Sequence, residues 1–222
     1  MKFSKDYVLF CHITTAIKGE KYGELLEEKG GEGFPHLVFM DEDGNVLAVH
    51  EEDRSPEAFA KTGESAKKFL SLKAKASKGD PAAKLDFLLA QMELGQLKAA
   101  EIEARLKECA APTKEQKAKI DGLLADAAVM DIVKDIKDPA SEKDAGKKCY
   151  ERYKAGQPGP ASDKAVQPYY ILTMDAADDK KDVETFEAAL KMLKDRFGKY
   201  PRAQGFFKEK DKRLEELKAD KK

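Results

Sequence analysis

The order of apolar and polar positions divides the chain into two regions. Up to about residue 76, short runs of aromatic and β-branched side chains alternate with glycine-rich turns, as in strands and hairpins. From residue 77 onward, apolar side chains recur every three or four positions, which predicts amphipathic helices. The stretch Ser77-Lys78-Gly79-Asp80-Pro81 forms a break between them. The pattern therefore predicts two domains, residues 1–76 and 77–222.

The clearest local signal lies in residues 30–50. Two apolar runs, residues 37–40 and residues 46–49, flank a polar tip at residues 41–45 that contains one glycine. Two β-rich runs joined by such a loop predict a β-hairpin. His50 stands at the end of the second run and is expected to be exposed.

Three further segments complete the predicted order of the first domain. Residues 7–15 are rich in aromatic and β-branched side chains, which predicts a buried strand. Residues 20–29 place three apolar side chains on one helical face. Ser55 and Pro56 suit the N-cap and the first position of a helix that runs to about residue 72. The prediction for residues 1–76 is therefore an α+β fold in the order β-α-β-β-α.

The turn Gly33-Phe34-Pro35 precedes the hairpin, whose tip is the Asp-rich turn, and the helix from Ser55 follows it. This order resembles the C-terminal half of the thioredoxin-like fold over about the first 76 residues. In that family the proline of this turn is cis and borders a groove for an extended peptide. The resemblance implies Phe34, Pro35 and His36 as candidate peptide-binding residues, although His36 is also explained as an ordinary strand histidine.

The reactive half of that family has no counterpart in this sequence. The chain contains no Cys-x-x-Cys pair, and it lacks the family's first strand, first helix, second strand and active-site helix. Three accounts stay open: the chain is a fragment or starts late, another molecule supplies the missing strand, or the small sheet closes on itself. An unpaired sheet edge would also offer a surface for a homodimer.

Beyond the break, turn residues separate a series of predicted helices. These span residues 81–94, 97–110, 113–137, 142–154, 168–177, 183–201 and 202–222. The first two, joined at Gly95 and closed by Pro112, resemble a tetratricopeptide repeat, and Pro201 closes a second similar half-repeat. The distance between the two prolines is not a multiple of the roughly 34-residue repeat. The prediction for residues 77–222 is therefore an all-α, irregular helical repeat-like domain.

Composition narrows the classes of partner. The 222 residues include 41 Lys and Arg and 42 Asp and Glu, so the formal net charge of −1 gives no reason to expect nucleic acid. No apolar run is long enough to span a bilayer, and no leader-like apolar core is present. The expected location is cytoplasmic if Met1 is the true start, and exported if the chain is a fragment of a longer precursor.

No group of residues predicts catalysis. Cys11, Cys109 and Cys149 are isolated and odd in number, so they are expected to be free thiols. Cys11 is the candidate for a lone redox thiol, but a strand position favours an inert, buried cysteine. The spacing of histidines and cysteines predicts no metal site, and no phosphate loop or other cofactor motif occurs.

The predicted function is a non-catalytic protein-interaction module that combines a thioredoxin-like scaffold without a redox pair with a helical array. Its partner would be a protein or peptide. Four tyrosines in the second region could line a peptide groove or pack between helices, namely Tyr150, Tyr153, Tyr169 and Tyr170. The alternative is a fragment of a thiol-disulfide oxidoreductase whose Cys-x-x-Cys half lies outside this chain.

Overall fold

The computed structural model describes residues 7–13, 18–19, 21–31 and 33–220. Of these residues 64% are helical, and only two strands occur among them. The chain forms two compact units, one up to Leu94 and the other from Gly95. The break expected at residues 77–81 lies between two helices of the first unit.

The first unit contains a short helix, a hairpin and two longer helices. Their bounds are α1 (Leu25–Glu28), β1 (Val38–Met40), β2 (Val46–Val49), α2 (Pro56–Ala76) and α3 (Pro81–Glu93). The predicted start of α2 is confirmed, because the Ser55 side chain accepts a hydrogen bond from the amide of Ala58 (3.2 Å) and Pro56 follows as the first helical residue.

The hairpin is antiparallel and irregular near its tip. Val38 lies opposite Val49, whereas Met40 lies opposite Val46, so Leu47 is the extra residue of a β-bulge. Both Leu47 and Ala48 are buried although they are successive residues. The core of the unit consists of Leu47, Ala48, Ala66 and Phe69, with Phe39, Phe87, Ala90 and Leu94 packed against it. Both α2 and α3 thus contribute to the core that covers the hairpin.

The predicted fold of residues 1–76 is wrong. Residues 7–13 form no strand, and residues 14 and 15 of that predicted strand lie outside the described residues. A strand requires main-chain hydrogen bonds to a neighbour, and within the described ranges β1 and β2 pair only with each other. β-Rich composition alone therefore does not make residues 7–13 a strand. The described chain is mostly helical with one two-stranded hairpin, not a thioredoxin-like β-α-β-β-α part followed by a separate helical domain.

The second unit is helical throughout its described length. It contains α4 (Ala99–Leu106), α5 (Lys114–Lys134), α6 (Pro139–Lys154), α7 (Asp163–Asp179), α8 (Val183–Phe197), a 3-10 turn (Pro201–Ala203) and α9 (Gln204–Ala219). The capping box predicted at the start of α5 is confirmed, since Thr113 and Gln116 exchange hydrogen bonds of 3.2 and 3.0 Å. Pro168, expected to begin a helix, instead lies inside α7.

The core of the second unit is closed. Side chains from six helices, α4 to α9, are fully buried, among them Val129, Tyr169, Met174 and Phe186. Tyr169 and Tyr170 are buried with their ring centroids 5.0 Å apart, and Tyr153 packs on Tyr170. Tyr153, Tyr169 and Tyr170 therefore contribute to helix packing.

Salt bridges connect α9 to its neighbouring helices around this core. Arg213 of α9 donates two hydrogen bonds to Asp178 of α7, and Lys210 pairs with Asp175 at 2.9 Å. Lys218 of α9 pairs with Glu187 of α8 at 2.9 Å. These pairs fix α9 against both α7 and α8, with the forked guanidinium supplying the most directional contact.

Candidate functional site

An apolar segment of the first unit is anchored at one end and otherwise uncovered. The ring of Tyr7 packs edge-on against Phe39 of β1 with centroids 5.1 Å apart. The Tyr7 hydroxyl donates a long hydrogen bond, 3.5 Å, to the carbonyl of Gly63 in α2. A Cβ added at Gly63 would lie only 2.8 Å from the Tyr7 hydroxyl oxygen. The next three residues, Val8, Leu9 and Phe10, are 97%, 73% and 65% exposed. We call these three residues the apolar segment.

Among the described residues, no strand pairs with the outer edge of β1. The amide of His50 donates to the carbonyl of Leu37 (2.8 Å), and the amide of Asp41 donates to the carbonyl of Asn45 (3.0 Å). In an antiparallel pair, hydrogen-bonded positions alternate with positions whose main-chain groups point away. Val38 and Met40 therefore direct their N–H and C=O groups away from β2, and no other described strand receives them. We call this row of groups the outer edge of β1.

The proline turn lies just before the outer edge. Phe34 is 72% exposed, Pro35 is exposed, and the peptide bond between them is cis. His36 is half-buried instead, and its Nε2 donates to the carbonyl of Lys29 at 3.0 Å. Of the three predicted peptide-binding residues, Phe34 and Pro35 are thus exposed, whereas His36 is half-buried and bonded to its own loop.

Gly31 shows how closely that loop packs on His36. A Cβ at this position would collide with the Leu26 side chain and lie 2.9 Å from Cγ of His36. The proline turn is consequently held against α1 by both a hydrogen bond and packing.

The expectation that His50 is exposed is wrong, because its side chain is 7% exposed. Its Nε2 donates to the carbonyl of Asp53 at 2.9 Å, and its Nδ1 lies 2.8 Å from the hydroxyl of Thr62. The imidazole also stacks on Phe59 with ring centroids 4.0 Å apart. His50 therefore fastens the end of β2 to the first turns of α2.

The acidic hairpin tip is organised by hydrogen bonds to the carboxylate of Asp41. Asp41 accepts hydrogen bonds from the amides of Asp43 and Asn45, at 3.1 and 2.8 Å, and Lys73 of α2 approaches it at 3.5 Å. Burial would raise the pKa of Asp41, but the hydrogen bonds from Asn45 and Lys73 outweigh it and lower the pKa. Gly44 provides the left-handed turn with φ +78°. The tip is therefore a self-satisfied turn.

The three cysteines lie in different environments and form no disulfide with one another. Cys11 is exposed, Cys109 is partly exposed and Cys149 is buried. Burial raises the pKa of Cys149 to about 11 in spite of the nearby Arg152 and Lys148, so this thiol stays protonated.

Two further features bear on the kind of site. Among the residues that the structure describes, no three His, Cys, Asp or Glu side chains are grouped so that they could hold a metal ion. No helix in that part of the chain is long and apolar enough to cross a membrane. The feature of the first unit that stands out is the uncovered apolar segment that follows Tyr7, whose ring packs against Phe39 of β1.

Sequence reasoning placed Phe34 and Pro35 at the site and missed its remaining parts. Residues 8–10 were expected to be buried in a strand, yet they are exposed. The signal that could have found them is the absence of any predicted neighbour strand. A β-rich run without a partner leaves its side chains uncovered.

No protein-family model matches the chain, and no curated protein and no solved structure is significantly similar to it. The likeness to thioredoxin-like and tetratricopeptide sequences consequently stands only on the residues quoted for it. Any function must be argued from the geometry of the site itself.

Proposed function

We propose that this chain is a non-catalytic protein-interaction module that binds an extended segment of a partner protein along the outer edge of β1. The observation that carries the proposal is the exposure of Val8, Leu9 and Phe10 immediately after Tyr7, which is anchored on β1. Soluble proteins rarely leave several large apolar side chains uncovered in succession unless they bind something.

The main chain supplies the first part of the interaction. Val38 and Met40 each offer an outward N–H and C=O group, the pattern that an added strand can pair with. Such pairing gives affinity through backbone hydrogen bonds, each worth about 0.5–1.5 kcal/mol net. Because backbone groups are common to all sequences, this part selects an extended conformation and not a particular sequence.

Side chains supply selectivity. Phe34 precedes β1 in the chain and is 72% exposed, and the apolar segment adds three more uncovered side chains. Burying one large apolar side chain contributes about 1.5–3 kcal/mol. The preferred partner is therefore an apolar β-forming segment of a protein, and a second copy of this chain is one such partner.

A photo-crosslinking experiment tests the proposal. The full chain carries p-benzoylphenylalanine in place of Leu9 and is irradiated in cells that express it from its own gene. We expect one discrete protein adduct, and an adduct of twice the chain's mass would identify the partner as a second copy. The matched control carries the same group in place of Lys212, whose side chain is 80% exposed on α9.

A substitution then links the adduct to the outer edge. Val38→Pro removes an outward N–H, and the hairpin does not use that donor. We expect the adduct from position 9 to fall at least severalfold with Val38→Pro and to persist with Val38→Thr. Phe10→Ser provides a second variant that leaves the hairpin untouched. Equal adducts from positions 9 and 212, or an adduct indifferent to both Val38→Pro and Phe10→Ser, would refute the proposal.

A further inference from the structure

The second unit carries an open groove between α7, α8 and the turn that leads into α9. Its volume is about 500 Å³. Ile171, Phe197, Tyr200 and Phe206 form its apolar wall, and Gln167 and Arg202 stand among them. We call it the aromatic groove. Its size falls within the roughly 300–1,000 Å³ that ligand sites occupy, and an apolar wall with a few polar groups is their usual lining.

The aromatic groove has a positively charged lining residue. Arg202 is the one charged side chain that lines it, and Arg202 makes no hydrogen bond or ion pair with any other described residue. By contrast, Arg213 and Arg196 of the same unit are paired with Asp178 and Asp163. Arg202 is therefore an exposed positive charge beside an apolar wall, with its donors available to an incoming group.

Two lysines strengthen this positive character. Lys199 lies 5.4 Å from the ring centre of Tyr200, and Lys210 lies 5.7 Å from that of Phe206. Lys210 is also paired with Asp175, so its charge is partly compensated. Cations over aromatic faces are favourable. Lys199 brings a second positive charge to the wall, whereas the charge of Lys210 is partly offset by Asp175.

From this arrangement we propose that the aromatic groove binds a segment of a partner protein in which a large apolar side chain stands next to an aspartate or glutamate. The apolar side chain fills the space between Ile171, Phe197 and Phe206, and the carboxylate pairs with Arg202. A basic segment is repelled by the same charges. This site lies in the second unit and does not depend on the outer edge of β1.

A selection from a displayed library of random dodecapeptides tests the inference on the full chain. We expect enriched peptides to share an aromatic or large aliphatic residue beside an acidic one. The most enriched peptide is then synthesised with a fluorescent label and its affinity is measured by anisotropy. Arg202→Gln should weaken binding by about tenfold, since a charge-assisted hydrogen bond to a carboxylate is lost. Replacing the peptide's acidic residue by its amide should weaken binding to the natural chain equally.

The matched control is Lys208→Gln, which removes one exposed positive charge of α9 that does not line the groove. We expect it to leave the affinity within about twofold. Circular dichroism confirms that each variant remains folded. The inference is overturned if no acidic and apolar pair is enriched, or if the selected peptide binds the Arg202→Gln and natural chains equally well. A peptide whose binding is abolished by Val38→Pro but not by Arg202→Gln contradicts this site and supports the proposed function instead.

Discussion

The two units differ in the exposure of large apolar side chains. In the second unit Tyr169, Met174 and Phe186 are at most 1% exposed, and salt bridges tie the surrounding helices together. In the first unit the apolar segment reaches 97% exposure at Val8 and remains at least 65% exposed throughout. The comparison separates a unit whose largest core side chains are fully buried from one that exposes three successive apolar side chains.

The difference originates in the main chain. A helix satisfies its backbone groups internally, so helices need only bury their apolar faces against one another. A strand depends on a neighbour for those hydrogen bonds. The hairpin of the first unit has one such neighbour for each strand, and the structure describes no third strand. The unit that contains β-structure is therefore the one with an available edge.

The largest expected effect lies in the core of the second unit. Phe186→Ala should lower the free energy of unfolding of that unit by about 3–5 kcal/mol, because the ring is completely buried. Urea unfolding followed by hydrogen exchange measures it for each unit separately. Loss of less than about 1 kcal/mol would contradict the closed core.

A smaller effect concerns the polar junction at Asp182 between α7 and α8. Asp182 caps α8 and accepts hydrogen bonds from Thr185 (2.7 Å), Tyr150 (2.8 Å) and Lys154 (3.1 Å). Asp182→Ala should cost the second unit about 2–3 kcal/mol near neutral pH, since α8 loses its cap and the buried Thr185 and half-buried Tyr150 lose their acceptor. Thermal unfolding against the natural chain measures the loss, and Asp179→Ala, which removes an exposed carboxylate of α7, is the control.

The same junction predicts a pH dependence. Burial would raise the pKa of Asp182, but the hydrogen bonds from Thr185, Tyr150 and Lys154 outweigh it and lower the pKa well below its usual range. The ionised form therefore contributes stability that is complete above the unfolded pKa of about 3.9 and is lost as the pH falls below it. The free energy of unfolding, measured from pH 6 to pH 2, should depend less on pH in Asp182→Ala than in the natural chain. An equal pH dependence in the two chains would contradict the role of the Asp182 carboxylate.

In the first unit, His50→Ala tests whether the hairpin is held by a buried polar contact. Two hydrogen bonds and the stacking on Phe59 disappear, so the free energy of unfolding should fall by about 2 kcal/mol. Hydrogen exchange of β2 amides is the measurement, and Glu51→Ala is the exposed neighbour for comparison. An unchanged exchange rate would mean that His50 does not fasten β2 to α2.

The smallest expected effect on stability belongs to the apolar segment. Val8→Ser together with Phe10→Ser should change the free energy of unfolding by no more than about 0.5 kcal/mol, because both side chains are exposed. Urea unfolding of the purified chain measures it. A loss comparable to that of Phe186→Ala would place these residues in a core and remove the contrast between the units.

Contacts close in sequence could be predicted, and distant ones could not. The Ser55 cap, the Thr113 capping box and the strand Val46–Val49 depend on neighbours within a few residues, and the structure has them as expected. The fate of residues 7–13 and of His50 depends on what packs from elsewhere in the chain. The predictions of burial for residues 7–13 and of exposure for His50 were wrong, because composition reflects the preference of a side chain and not the presence of a packing partner.

The candidate site divides in the same way. Phe34 and Pro35 were named from a local turn motif, whereas the outer edge of β1 follows from which amides point away from β2. The aromatic groove combines α7, α8 and the turn before α9, which no local pattern joins. Surfaces assembled from separate elements thus required the three-dimensional structure.

The most direct measurement is amide hydrogen exchange at single-residue resolution, in the free chain and in the complex with the partner identified by crosslinking at position 9. We expect the amides of Val38 and Met40 to exchange at least tenfold more slowly in the complex, while the amides of α8 keep their rates. Unchanged exchange at Val38 and Met40 in a complex of full occupancy would contradict strand addition at this edge.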